Sequence, residues 1–535
     1  PRRGPASAAL GRLSAGLRHV SQQGRAGSLH DVRDVVGRRR WWPMVSVCVG
    51  ALGAGLAVVR SVPDQTVDAG VFASVAERLI AGDTLYSEVW DNKDPFFYYL
   101  WMISRLASPL GPVFVELIWL AIVAVAVASL ARGFGVARAS IPFLVGAALV
   151  ITTGSSYVAG LTHLPGTALC LVALAVAHRQ RPIAAGVVLG LLTGIKLIMA
   201  PIGVLLVALI LFKGPHAAIR RVVAAWLGTG LALVVAVAVR GELGPYVASL
   251  MANVGYSQGT LVSSGTLPGA LQHLRLVFDT GATLAAPAMA LTALAFLASA
   301  PLTPTSRRLW WAASASFGSG FAVIALTGMR DHHAQVLVPA YLLVLLVGVA
   351  QWASPHPRPG NAVAILGAAF LLAGSVYPGT YVTELRAMPA RLAAFRAVSP
   401  QAADLARLTT TPGSYARLGQ SDLKGHAAGL AAWRLACPRF HQYPFDAAAD
   451  LERVLSCAQG VDVIIVESNI EPSPGSPSAW APFSVGAQAM LEKGFDCRTM
   501  SSGVVCLARS RAGFAFPADT RPPPHWLTDR RAIAP

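Results

Sequence analysis

The sequence predicts a mostly α-helical, polytopic membrane protein: a bundle of about 11 transmembrane helices, amphipathic helices in its outward loops, and a small C-terminal α/β domain outside the membrane. Three observations predict this class. Of 535 residues, 54% are hydrophobic and only 13% charged, with a mean hydropathy of +0.55, whereas soluble domains carry roughly 25% charged residues. Apolar runs close to the ~20 residues of a bilayer crossing recur along most of the chain. The basic clusters between those runs all fall on one face of the membrane, as the positive-inside rule expects of cytoplasmic loops.

Residues 1–40 are rich in Arg, Gly, Ser and Ala, lack the apolar core of a signal peptide, and read as a basic, flexible cytoplasmic tail. Residues 41–377 hold the apolar segments, at 43–61, 113–131, 140–155, 164–178, 183–198, 199–213, 222–239, 282–300, 309–327, 335–351 and 361–377. Lys196 and Pro201 mark a tight return between two of them. Arg38 to Arg40 precede the first segment. Arg132 and Arg138 follow the second, Arg179 and Arg181 the fourth, and Lys213, Arg220 and Arg221 the sixth. Arg307 and Arg308 follow the eighth, and Arg358 the tenth. The loop 62–112, the loop around 240–281 and the tail 378–535 therefore face outward. The net charge of +17 is explained in large part by these cytoplasmic clusters, and with no basic and aromatic recognition motif nucleic acid is not expected as a partner.

The tail reads as an α/β domain that docks or guides an acceptor, with a helix over 447–458, a buried strand in "VDVIIVES" and a surface loop at "EPSPGSP". Cys48 and Cys170 fall in apolar runs and read as packing residues. The four tail cysteines fit an oxidising compartment. "FDCRTMSSGVVCLAR" reads as a hairpin turning at Ser501 and Ser502, which sets Cys497 opposite Cys506 and leaves Cys437 for Cys457. A zinc site is the alternative, but no CxxC pair exists.

Acidic residues gather in the first outward loop: Asp64, Asp68, Glu77, Asp83, Glu88, Asp91 and Asp94. Asp64, Glu77 and Asp83 read as solvated loop charges. Asp68 opens the amphipathic stretch "DAGVFASVAERLIAG", whose Ala69, Phe72, Val75, Ala76 and Leu79 form one apolar face suited to lying on the bilayer. At its N-terminus Asp68 is placed to cap that helix.

The stretch "DAGVFASVAERLIAGDTLYSEVWDNKDPFFYYL" resembles the first periplasmic loop of the GT-C membrane glycosyltransferases, nearest to the protein O-mannosyltransferase and lipid A aminoarabinose transferase group. The matching residues are Asp68, Gly70, Phe72, Ala76, Leu79, Gly82, Leu85, Tyr86, Asp91, Lys93 and Pro95. The chain departs at Asp94, where the family usually has a first proline. "GVVLGLLTGIKLIMAP", with Lys196, resembles the family's Gly-rich span, and "MRDHHAQVLVPAYLLVLL", with Arg330, His332 and His333, its late Arg-His segment. The likeness runs in order over about residues 45 to 350.

The resemblance implies a GT-C-like fold in a bacterial inner membrane, with the N-terminus cytoplasmic and the C-terminal domain outside. It implies a hexosyl- or pentosyltransferase that takes a sugar from a polyprenyl-phosphate donor, with inversion, and passes it to a hydroxyl of a cell-envelope glycan, lipid or protein. Asp68 is then the general base, and Lys93 and Arg330 hold the leaving phosphate. Asp91 positions Lys93, and Phe96 to Tyr99 anchor the next helix at headgroup level. Tyr86, His163, Lys196, His332 and His333 join Asp91 as possible substrate contacts. The family's second acid, between spans three and four, is not found: "SSYVAGLTHLPG" offers only Tyr157 and His163. No organic cofactor is implied. The chain has no Asp-x-Asp motif and no Walker loop, and metal dependence is left open. The rival class, a transporter or flippase of a lipid-linked sugar, would put ionisable residues in mid-membrane.

Overall fold

Proline opens several of the helices. Pro95, Pro112, Pro142 and Pro182 each sit in a first turn, where the missing N–H costs no hydrogen bond. The computed structural model describes residues 28–64, 68–154, 157, 159–211, 216–262, 311–316, 318–320, 335–352, 378–397, 400–419, 432–439, 442, 448–466 and 480–524. In chain order the helices are α1 (Ser28–Arg60), α2 (Asp68–Ile80), α3 (Pro95–Ala107), α4 (Gly111–Gly133), α5 (Ile141–Thr152), α6 (His163–His178), α7 (Pro182–Ile195), α8 (Ala200–Leu211), α9 (His216–Val239), α10 (Leu243–Val262), α11 (Val338–Trp352), α12 (Pro378–Ala394) and α13 (Pro400–Leu408). The C-terminal domain adds β1 (Ser414–Leu418), β2 (Arg434–Leu435), α14 (Ala448–Ala458), β3 (Val463–Val466), α15 (Trp480–Gly494), β4 (Phe495–Met500) and β5 (Gly503–Ala508).

Among the described residues, three helices are long and apolar enough to cross a membrane: Trp41–Arg60, Gly111–Gly133 and His216–Val239. The other apolar helices are 10–17 residues long, short of a full hydrocarbon crossing. The expected eleven spans are thus not met by the described residues. The segments at 282–300 and 361–377 lie outside them, as does most of 309–327. The loop expected around 240–281 begins as helix α10.

Close approach in the bundle relies on glycine. A Cβ on Gly186, Gly190 or Gly194 of α7 would fall 2.3 Å from Val222 O, 2.4 Å from Thr229 Cβ and 2.6 Å from Leu233 Cδ1 of α9. The four-residue spacing puts all three on one stripe, and that stripe lets the two backbones meet. This is the physical use of the Gly-rich run.

The C-terminal sheet has the order β2-β1-β3-β5-β4, with β1 parallel to β2 and β3, and β5 antiparallel to β3 and β4. Alternate residues serve opposite faces. Ala416, Ile464 and Val466 pack against Leu451 and Val454 of α14 and Phe483 and Leu491 of α15. Tyr415, Val463 and Ile465 pack instead with Leu405 of α13 and with Phe72, Leu79, Tyr98 and Trp101 of the 62–112 segment. The central strand β3 is buried on both faces, which is why Val463–Val466 is apolar throughout.

Three expectations are corrected by this packing. The apolar face of α2 does not lie on the bilayer: Ala69, Phe72, Val75, Ala76 and Leu79 are buried between α3 and the sheet. Phe97 and Tyr98 are not headgroup anchors, since Phe97 meets Phe72 edge-on at 4.8 Å and both side chains are buried. Glu77, Asp83 and Asp64 are more than solvated charges. Arg105 Nε donates to Glu77 at 3.0 Å, Arg78 to Asp83 at 2.6 Å, and Arg391 lies 3.7 Å from Asp64. Once α2 is sealed under the sheet, acids at its rim need nearby cations more than bulk water.

The four tail cysteines pair as expected, whereas Cys48, expected to pack, is exposed. Cys437 is bonded to Cys457 and Cys497 to Cys506, with Cα separations of 5.7 and 4.0 Å. Cys497 and Cys506 are direct partners in the β4–β5 ladder. Cys170 is buried in the bundle, and Cys48 is exposed on α1.

Candidate active site

Asp68 is the first residue of α2, so its carboxylate sits where the helix dipole favours an anion. The turn that follows α2 is built around Tyr86, whose φ of +66° is rare for a residue with a side chain. The surroundings hold that conformation. Tyr86 N–H donates to Val89 O at 2.7 Å, and its hydroxyl donates to Lys93 O at 2.6 Å. Burial, then the nearby Asp94, pushes the Tyr86 phenol well above its ordinary range, so it remains a donor.

Lys93 is fixed from three sides. Its backbone N–H donates to Tyr98 Oη at 3.3 Å, while the Tyr98 hydroxyl donates to the buried Asp91. Asp91 thus reaches Lys93 through Tyr98 and the backbone. The ammonium donates to Asn92 Oδ1 at 2.5 Å and lies 6.0 Å above the Phe72 ring.

Asp94, the residue that departs from the family pattern, ties distant segments together. Oδ2 accepts the Leu197 N–H at 3.1 Å, and Oδ1 accepts the Tyr246 hydroxyl of α10 at 2.9 Å. Burial raises its pKa, against the pull of these two bonds and of Lys196 and Lys93. The Leu197 bond holds the α7–α8 turn, and the residue before it is the buried Lys196. The charges of Lys93, Asp94 and Asp68 all act on Lys196. The Asp94–Leu197 bond thus brings Lys93 and Asp94 of the first loop to the turn that carries Lys196. Gly166, one turn after the buried His163 in α6, packs here too: a Cβ on it would lie 3.4 Å from Lys196 Cβ.

Two further acids brace the site, and sequence reasoning passed over both. Glu242, ahead of α10, accepts the Leu85 N–H at 3.3 Å, pairs with Arg240 at 3.0 Å and accepts the Tyr99 hydroxyl. Glu116 of α4 is buried, accepting the Tyr157 hydroxyl and the Gly160 N–H at 3.1 Å. An acid therefore does reach the "SSYVAGLTHLPG" loop, from α4, two helices earlier in the chain. A lone Glu within an apolar run was the available signal. Arg330, His332 and His333 lie outside the described residues. Among the described residues, no three His, Cys, Asp or Glu side chains gather as metal ligands.

Likeness to known proteins is slight. No protein-family model and no curated protein matches the chain. Two structures of an archaeal oligosaccharyltransferase from Archaeoglobus fulgidus overlay on it. The first is AglB in complex with an inhibitory peptide and a dolichol-phosphate, at a TM-score of 0.41. The second is the apo form, at 0.42. Each is 14% identical, over 90% of this chain and 76% of the other. An overlay this loose shows nothing about chemistry.

Chemically, the arrangement offers a carboxylate at a helix N-terminus and two lysine side chains, one on a braced loop and the other buried in the bundle. Such a set can take a proton at one point and hold a multiply charged anion at another.

Proposed function

We propose that this protein is a membrane glycosyltransferase. It moves a sugar from a polyprenyl-phosphate donor to a hydroxyl of a cell-envelope acceptor at the outer face of the membrane. The observation that carries the reading is the convergence of Asp68, Lys93 and Lys196 from separate segments, with Asp94 joining the loop to the turn. The acceptor oxygen attacks the anomeric carbon while Asp68 takes its proton. The bond from that carbon to the phosphate oxygen breaks on the opposite side, and its electron pair leaves with the lipid phosphate. Lys93 and Lys196 stabilise the charge that grows there. A single displacement of this kind inverts the anomeric centre.

The test is transfer by the purified protein in nanodiscs from a panel of labelled polyprenyl-phosphate sugars to an envelope extract. Asp68→Asn should cut transfer by ~10²–10⁴, with thermal unfolding and donor binding close to wild type. Wild-type turnover in that variant would make Asp68 a helix cap only. Movement of intact donor across the bilayer without cleavage would replace the enzyme with a flippase.

A further inference from the structure

A cleft of about 450 Å³ opens between the Tyr86–Trp90 turn, helix α10 and the C-terminal domain. This volume lies within the ~300–1,000 Å³ of small-molecule sites. One wall is an ordered polar array. The Arg439 guanidinium lies 3.8 Å from the centre of the Trp90 ring and 2.9 Å from Asp450 Oδ2, while Arg453 donates to Asp450 Oδ1 at 2.6 Å. The Cys437–Cys457 disulfide lines the same wall, and the Trp90 N–H donates to Pro438 O at 2.8 Å, so loop and domain are joined at its rim. The opposite wall is the flat face of α10, made of Pro245, Ala248, Ser249 and Ala252.

We infer that this cleft is a saccharide-binding subsite, which seats a glycan acceptor beside the transfer site. Three features point to that class. Two guanidinium forks around one carboxylate alternate donors and acceptors at fixed spacing, as neighbouring sugar hydroxyls require. The small apolar face of α10 suits the C–H face of a pyranose or furanose ring. None of the lining residues belongs to a β-strand, so an extended peptide would find no open edge to pair with.

Tyr86 connects the cleft to the chemistry. It lines the cleft, and its hydroxyl holds the carbonyl of Lys93. A hydroxyl of a sugar seated there is one side chain removed from the loop that grips the donor phosphate. The acceptor role rests on the proposed function, whereas the binding itself does not.

The test uses the full chain in nanodiscs and saturation-transfer NMR. The probes are neutral gluco-, manno-, galacto- and arabino-oligosaccharides of four units, with a Ser/Thr-rich peptide as comparison. At least one oligosaccharide should bind wild type. Arg453→Ala, whose side chain is 78% exposed in wild type, should weaken that binding roughly 10-fold or more. Ala248→Trp, which fills the cleft, should abolish it. Both variants should keep wild-type affinity for a labelled polyprenyl phosphate and unchanged thermal unfolding. Lys93→Ala should do the reverse, losing donor and keeping the oligosaccharide. The subsite is overturned if no oligosaccharide binds while the donor does, if both cleft variants bind sugar as wild type does, or if the peptide alone binds. Oligosaccharide binding without any donor binding would leave the subsite standing and remove the transferase reading.

Discussion

Leu227 and Leu231 on α9 stand 62% and 65% exposed, while Phe72 and Val75 on α2 are buried, although both helices are apolar on the face in question. Helix α9 is 24 residues long and apolar enough to cross a bilayer, so its exposed leucines are of the kind that acyl chains can cover. Helix α2 has 13 residues and carries Asp68, Glu77 and Arg78, and its apolar face is covered by protein on both sides. The difference teaches that an apolar stripe fixes that a helix must bury a face, and says nothing of what covers it. For α2 the cover is the C-terminal sheet, folded from residues more than 300 positions later.

Truncating the two helices should separate them most sharply. Phe72→Ala empties a site shared with Phe97, Tyr98 and Trp101, and should cost about 3–5 kcal/mol of stability. Leu231→Ala on the lipid face should change stability by only ~0.5 kcal/mol. Equal shifts in thermal unfolding of the two variants in nanodiscs would break the comparison.

The next effect concerns what the sealed loop is for. Lys93→Ala should weaken donor binding and slow transfer together by roughly 10- to 100-fold, since one cation serves the ground-state phosphate and the growing charge. A merely interfacial lysine would tolerate arginine, whereas a shaped phosphate site would not, so Lys93→Arg should remain impaired. Unchanged donor affinity and turnover in Lys93→Ala would remove its assigned role.

Asp94→Asn tests the tie between loop and bundle. The amide oxygen can still accept the Leu197 N–H, while the NH2 in place of the other oxygen can donate to the Tyr246 hydroxyl oxygen, so folding should be retained. Weaker, uncharged hydrogen bonds to the α7–α8 turn should lower turnover about 5-fold, with smaller change in donor affinity. Tyr246→Phe should reproduce part of that loss. Wild-type kinetics in both would reduce Asp94 to a helix-start residue.

The smallest effect is a pH dependence confined to the C-terminal domain. Burial pushes the Asp462 carboxyl up, but bonds from the Ser414 N–H and hydroxyl at 2.7 and 2.9 Å, with the Arg511 charge, bring it below its ordinary range. A depressed carboxyl stabilises the fold above the unfolded pKa of ~3.9, and the contribution fades as pH falls towards the folded value. Asp462→Asn should therefore destabilise the domain at pH 7, with the gap to wild type closing below about pH 4. A gap that stays constant from pH 7 to 3 would show that the charge contributes nothing.

Much of this architecture was legible in the residues. The Lys196 return, the β4–β5 hairpin with its Cys497–Cys506 bridge and the buried β3 strand are local patterns, decided by periods of two or four residues and by turn chemistry. Asp68 at a helix start was legible for the same reason. Glu116 and Glu242 were not, because a single acid carries no period, and its partners Tyr157 and Leu85 stand 41 and 157 residues away. Asp94 showed only as a departure from a pattern, and its use became visible through Leu197 and Tyr246, 103 and 152 positions distant.

By itself, then, the sequence determined the apolar bundle, the acid-rich first loop, the helix starts and the cysteine register of the hairpin. Each depends on hydropathy, proline geometry or strand alternation acting over a few residues. Tertiary structure alone decided that α2 is roofed by the sheet and that Asp94 ties the first loop to the α7–α8 turn and to α10. Those contacts join segments with no local relation, and they form because a face too small to span a bilayer, and charges too costly to bury alone, find their partners only once the chain has folded.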